Sequence, residues 1–208
     1  MHLILCRHGN TFRAGERSVW VGARSDLPLV ETGVRQAREI GSAIKSNNIV
    51  LSQIYAGPLL RTKQTAELIS SELLPTTTPI VAADELREID YGAWEGKTNE
   101  EVSAGGGTEA LAKWELEGVW PEGFGWAPGE EVILRNLHAL VEQATTNNGE
   151  DSIVALVSSN GLFRLLAKSL GIAPASSKTA TGAMSLLQAR ESHLKVISWN
   201  KKPNEFRF

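Results

Sequence analysis

The stretch Leu3-Ile4-Leu5-Cys6-Arg7-His8-Gly9-Asn10-Thr11 joins an apolar run to a polar box. Leu3 to Cys6 lacks polar alternation, which suits a short strand buried on both faces of a sheet. Arg7 and His8 then arrive together at its carboxyl end, followed by a glycine. That is the edge where open α/β sheets bind ligands, and a cation, an imidazole and free backbone N–H groups suit an oxyanion there. Similar short runs recur along the chain at Gln53 to Ala56, Ile80 to Ala82, Ile153 to Val157, Ser185 to Leu187 and Leu194 to Ser198.

Helical stretches separate them. One begins near Glu31-Thr32 and carries Val34, Ala37, Ile40, Gly41 and Ile44 on one face. Pro58 to Leu73 follows, with the proline placed to open a helix. A third opens at Gly129-Glu130-Glu131 and stops at Asn147-Asn148-Gly149, and a fourth runs from Gly161 to Leu170. Alternating strands and helices predict a three-layer α/β/α sandwich around a mainly parallel central sheet, as one domain over 1–208. Residues 103–128 break the pattern with Gly105-Gly106-Gly107, Trp114, Trp120, Trp126 and Pro121, and only a short helix is expected around Glu109 to Leu116. Such an insertion is expected to act as a lid whose aromatics wall a pocket; alternatively, its tryptophans pack it onto the core.

Composition narrows the function classes. The 208 residues carry 21 Lys+Arg against 24 Asp+Glu, a net charge of −3 that lacks the basic surface nucleic-acid binding needs. No apolar run reaches the roughly 20 residues of a membrane span, and the first strand is interrupted by charge too early for a signal peptide. With Cys6 as the single cysteine, no internal disulfide is available, so a cytoplasmic setting is the expectation. No Cys/His cluster or spaced aspartates suggest a metal site.

Two more segments converge on the first box. Gly57-Pro58-Leu59-Leu60-Arg61 puts Arg61 in the first turn of a helix that follows a strand, and Leu86-Arg87-Glu88-Ile89-Asp90-Tyr91-Gly92 offers a carboxylate beside a glycine turn. With these boxes the chain resembles the histidine phosphatase superfamily, the phosphoglycerate-mutase-like proteins. The resemblance rests on Arg-His-Gly-x-Thr at 7–11, Leu-x-Arg-x-x-Gln-Thr-Ala at 59–66 and Leu-x-Glu-x-x-Tyr-Gly-x-Trp-Glu-Gly at 86–96, in order along the chain.

The resemblance implies that His8 attacks phosphorus and becomes a phosphohistidine, its unperturbed pKa of roughly 6.5 leaving it largely neutral at cytosolic pH. It implies that Arg7 and Arg61 hold the phosphoryl oxygens with no metal or other cofactor, that Glu88 is the proton donor and later acceptor, and that Asn10 and Thr11 add hydrogen bonds. It also marks a departure. Where the family writes Ser-His-Gly-Gly after a strand, this chain reads Ser158-Ser159-Asn160-Gly161, so Ser159 stands at the second histidine's position, with Asn160 as a further amide donor. Of the other three histidines, His2, His138 and His193, only His138 is kept open as a substitute.

The expected activity is hydrolysis of a phosphomonoester, carried by a small metabolite or a phosphoprotein, slowed by the loss of one charged donor. Two alternatives stay open: a pseudoenzyme that binds a phosphorylated ligand, and a mutase. Asn10-Thr11 looks more like the phosphatase branch than the Glu-Ser of the mutases. A cysteine-based mechanism is disfavoured because six residues separate Cys6 from Arg13, where such enzymes need five. Arg13, Arg24 and Lys63 are open either to a second anionic group on the substrate or to solvent. Thr181-Gly182-Ala183 is where the family brings a backbone donor to the phosphate.

Overall fold

The computed structural model describes residues 1–75, 78–190 and 193–208. The expected runs form the six strands of one sheet: β1 (His2–Arg7), β2 (Gln53–Ala56), β3 (Ile80–Ala82), β4 (Ile153–Ser158), β5 (Met184–Arg190) and β6 (His193–Lys201). Their order is β3-β2-β4-β1-β5-β6. β2, β3 and β4 run parallel to β1, and β5 pairs antiparallel with both β1 and β6. The sheet is therefore mainly parallel, as expected. β5 and β6 extend beyond their apolar cores because their hairpin pairing continues into exposed residues. The turn expected at Glu191-Ser192 lies outside the described residues.

Alternation along the central strands divides the core in two. Ile4, Cys6, Ala155 and Val157 face the layer of α1 (Glu31–Ser46) and α2 (Leu60–Glu72). Leu3, Leu5, Val154 and Leu156 face the opposite layer. There α3 (Asn99–Val102), α4 (Thr108–Glu117), α5 (Glu130–Asn148) and α6 (Asn160–Ser169) follow in chain order. The face predicted for α1 is the one it buries, with Ala37, Ile40, Gly41 and Ile44 all inside.

In the segment 103–128, expected as a lid, the tryptophans pack inward. Trp114 and Trp126 are buried, and Trp126 has the rings of Tyr91, Trp94, Trp114 and Trp120 around it at 4.7–5.2 Å between centroids. The cation–π contact of Arg164 over Trp114, at 4.5 Å, locks α4 to α6. Packing these large rings removes far more apolar surface from water than leaving them over an open cavity.

Backbone contact fixes the loop after β1 against the start of α1. A Cβ on Gly9 would lie 2.2 Å from the Gly33 carbonyl oxygen, and one on Gly33 would lie 2.2 Å from the Asn10 carbonyl oxygen. Neither position has room for a side chain. Gly33→Ala is expected to lower stability by about 1–3 kcal/mol through overpacking, read as a fall in the urea midpoint at unchanged slope.

Candidate active site

Three strand ends supply the site. β1 ends at Arg7 and passes to His8, whose N–H donates to the Ser158 carbonyl at the end of β4 at 3.0 Å. β4 continues into Ser159 and the first turn of α6. β2 leads through Gly57 to α2, which carries Arg61. Glu88 comes from outside the sheet. Its segment is anchored by Ser158 Oγ donating to the Leu86 carbonyl at 2.7 Å and by paired backbone bonds between Asp90 and Ala127.

The imidazole of His8 is buried and oriented. Nδ1 lies 2.7 Å from the Gly9 carbonyl oxygen. A carbonyl only accepts, so Nδ1 carries the proton of the neutral ring and Nε2 keeps its lone pair. Burial pushes the His8 pKa well below its usual value, and the positive charges of Arg7 and Arg61 add to this. The ring is therefore neutral and nucleophilic at neutral pH.

Glu88 is the buried counterpart. Its Oε1 accepts from the N–H groups of Ile89 at 2.9 Å and Leu162 at 3.2 Å, and its Oε2 from Gly161 N–H at 3.2 Å. The Tyr91 phenol lies beside it, and burial together with the nearby carboxylate holds the phenol well above its ordinary pKa. The carboxyl thus caps the amino end of α6, which favours its charged form. Burial outweighs these bonds and the two arginines, and its pKa is raised above the ordinary carboxylate range. A Cβ on Gly161 would sit 2.2 Å from Tyr91 Oη and 2.6 Å from Glu88 Oε1, so this glycine is what lets the carboxyl reach the helix end.

The arginines are held by backbone carbonyls. Arg7 Nη1 donates to the Thr179 carbonyl. Arg61, fully buried, donates from Nη1 to Ser25 O at 2.7 Å and from Nη2 to Gly22 O at 3.2 Å. The Nε atoms of both are buried with no protein partner, as is Ser159 Oγ. Asn160 Oδ1 accepts from Thr179 N–H at 2.9 Å, which leaves its NH2 group to donate.

These groups border a cavity of about 860 Å³ that Arg7, His8, Asn10, Thr11, Glu88, Tyr91 and Asn160 line directly. Arg61 and Ser159 are buried and are not among its lining residues. Residues 12–21 and 98–100 form the outer wall, and no residue of 103–128 contributes to it. Tyr91 is buried yet also lines the cavity, and its place in the Glu-x-x-Tyr spacing was the available signal. Gln36 was missed entirely. Its side chain accepts from Asn10 N–H at 2.8 Å and donates to Thr181 Oγ1 at 3.3 Å, clamping the loop after β1 to the start of β5, and nothing in a helical glutamine announces that.

Other expected residues lie elsewhere. His138 and His2 line a separate cavity at the opposite end of β1. Arg24 is paired with Asp90 at 3.0 Å and Glu95 at 3.6 Å. Lys63 is outside the cavity lining. Gly182 donates its N–H to the carbonyls of Arg7 and His8, at 3.2 Å each. Burial pushes the Cys6 thiol up to about 12, so it stays protonated. Among the described residues, no three His, Cys, Asp or Glu side chains converge as metal ligands, and no helix is long and apolar enough to cross a membrane.

The family model of the histidine phosphatase superfamily (branch 1) matches residues 3–202. A 2,3-bisphosphoglycerate-dependent phosphoglycerate mutase of Parvibaculum lavamentivorans is 31% identical over 112 residues, covering 54% of this chain and 52% of that protein. The uncharacterized phosphatase PhoE of Bacillus subtilis is 40% identical over 97 residues, 47% of each chain. The chain thus spans about half the length of these curated relatives. A mycobacterial glucosyl-3-phosphoglycerate phosphatase structure superposes with a TM-score of 0.76 at 22% identity, over 96% of this chain and 98% of that one.

The surroundings of His8 predict its titration. Its imidazole should titrate well below 6.5 by NMR, and Arg7→Gln should move that pKa upward because a neighbouring positive charge is removed.

Proposed function

Because the chain belongs to the histidine phosphatase superfamily (branch 1), we propose that it is a phosphatase that hydrolyses a phosphomonoester through a phosphohistidine on His8. The observation that carries this reading is the His8 Nδ1 contact to the Gly9 carbonyl at 2.7 Å, which commits Nε2 to the cavity that Glu88 also lines.

In the first step Nε2 attacks phosphorus and the bond from phosphorus to the leaving oxygen breaks. Glu88, whose raised pKa favours the protonated form, gives its proton to that oxygen. The ring gains positive charge, and the Gly9 carbonyl facing Nδ1–H stabilises it. In the second step water attacks phosphorus, Glu88 takes a proton from it, and the bond from phosphorus to Nε2 breaks. The Nε–H of Arg7 and the Asn160 amide, at the cavity lining, are donors for the phosphoryl oxygens, and the unpartnered Arg61 Nε–H and Ser159 Oγ lie buried behind them as further donors. Ser159 stands where the family carries a second histidine, so it offers a neutral donor in place of a charged one. The substrate is a small phosphorylated metabolite or a phosphoprotein.

The likeness to a phosphoglycerate mutase favours phosphoryl transfer as the second reading. The two differ in the fate of the phosphoryl group: release as inorganic phosphate, or transfer to an acceptor such as 3-phosphoglycerate. A non-catalytic binder differs from both in forming no phosphohistidine.

Mass spectrometry after reaction with a phosphodonor is expected to find phosphate on His8 and none in His8→Ala, with phosphate release lost in that variant. Absence of both in wild type would leave only binding. Ser159→His is expected to raise turnover by about tenfold or more, within the 10²–10³ worth of one oxyanion donor. Gly161→Ala should lower it by about 10², since its Cβ displaces Glu88. In wild type, kcat/KM should fall as pH drops through the lowered His8 pKa, where the nucleophile protonates. It should also fall as pH rises through the raised Glu88 pKa, where the acid is lost.

A further inference from the structure

The cavity is far larger than a phosphoryl group, and its volume of about 860 Å³ is of the size that encloses a whole small molecule. The phosphate end is set by Arg7 and His8. The group attached to the phosphate must therefore face the outer wall, built from residues 12–21 and 98–100.

The charges of that wall are already neutralised by one another. Arg13 is 3.4 Å from Glu16, which also accepts the Arg13 backbone N–H at 2.7 Å. Arg17 is ion-paired with Glu101. Glu100 lines the same wall and adds a further carboxylate. Two guanidinium groups and two carboxylates thus share this wall, with Glu101 behind it, and each arginine already has a carboxylate beside it. Two aromatic residues stand among the small and polar uncharged ones of this wall. Phe12 and Trp20 line it, and Trp20 is held edge-on against Tyr91 and Trp94, with its indole N–H donating to Asn99 Oδ1 at 2.9 Å.

We infer that the alcohol released from the phosphate is uncharged and carries a flat apolar face, such as an aryl or other ring-bearing group, and is not an acid of the glycerate kind. This rests on the phosphatase reading of the same site. An anionic group would meet a wall with no net positive charge, whose arginines each already face a carboxylate. A ring would cover the faces of Phe12 and Trp20 and displace water from them.

Two measurements test this separately from hydrolysis. Binding to His8→Gln, which lacks the nucleophile, is measured by calorimetry with phenyl phosphate, 3-phosphoglycerate, phosphocholine and inorganic phosphate. Phosphate release from the three esters is measured with wild type. Phenyl phosphate is expected to bind at least tenfold tighter than 3-phosphoglycerate. Phe12→Ala is expected to weaken phenyl phosphate by about three- to tenfold while leaving inorganic phosphate unchanged. Glu16→Gln and Glu101→Gln each free an arginine, and should improve 3-phosphoglycerate binding by about two- to fivefold without helping phenyl phosphate. Glutamine at 101 also retains the capping box that Thr98 and Glu101 form at the start of α3.

Equal or tighter binding of 3-phosphoglycerate would overturn the inference, as would phosphocholine binding tighter than phenyl phosphate. Preferred binding of phenyl phosphate with no release from any ester would overturn the phosphatase reading and leave the ligand class standing. Binding of no ester would overturn both.

Discussion

A carboxyl group buried beside two guanidinium groups and a helix end holds this site together. Glu88 is nearly inaccessible to water, and its two oxygens take three backbone N–H groups. Burying an ionisable carboxyl without partners costs several kcal/mol, so each partner is held in place by something else. Gly161 lets α6 approach, Arg7 is tied to the Thr179 carbonyl, and Arg61 to the carbonyls of Gly22 and Ser25. Four separate chain segments are thereby made to meet at the carboxyl edge of one parallel sheet.

The same crowding separates the two ionisable groups by function. Desolvation lowers the pKa of the imidazole and raises that of the carboxyl, so burial alone moves His8 toward its nucleophilic form and Glu88 toward its acidic form. The arginines reinforce the first shift and oppose the second. A net charge of −3 says little about such a place, because local positive charge and low dielectric govern it.

The aromatic residues follow a different constraint. Trp94 and Trp114 each meet Trp126 edge-on, and Trp20 closes the group at the cavity edge. That cluster supports the Glu88 segment from below: Asp90 exchanges backbone bonds with Ala127, next to Trp126. The segment 103–128 contributes stiffness to the site and leaves its wall to residues 12–21 and 98–100, whose charges cancel in pairs.

Sequence by itself determined the strands, the main helices, and Arg7, His8, Arg61 and Glu88 as the residues to watch. Central apolar runs are buried, while the edge run Ile80–Ala82 stays exposed, and polar boxes at strand ends lie at the sheet edge. It was silent on the tautomer of His8, on the clamp made by Gln36, on the contact of Tyr91 with Glu88, and on which loop walls the cavity. Those depend on distances between segments far apart in the chain. Residues 12–21 have no periodicity to read, while the tryptophans of 103–128 read as a wall because aromatic residues suit a pocket and a core equally. The packed structure buries Trp114 and Trp126, where they remove most surface from water, and gives the wall of the cavity beside His8 to residues 12–21 and 98–100.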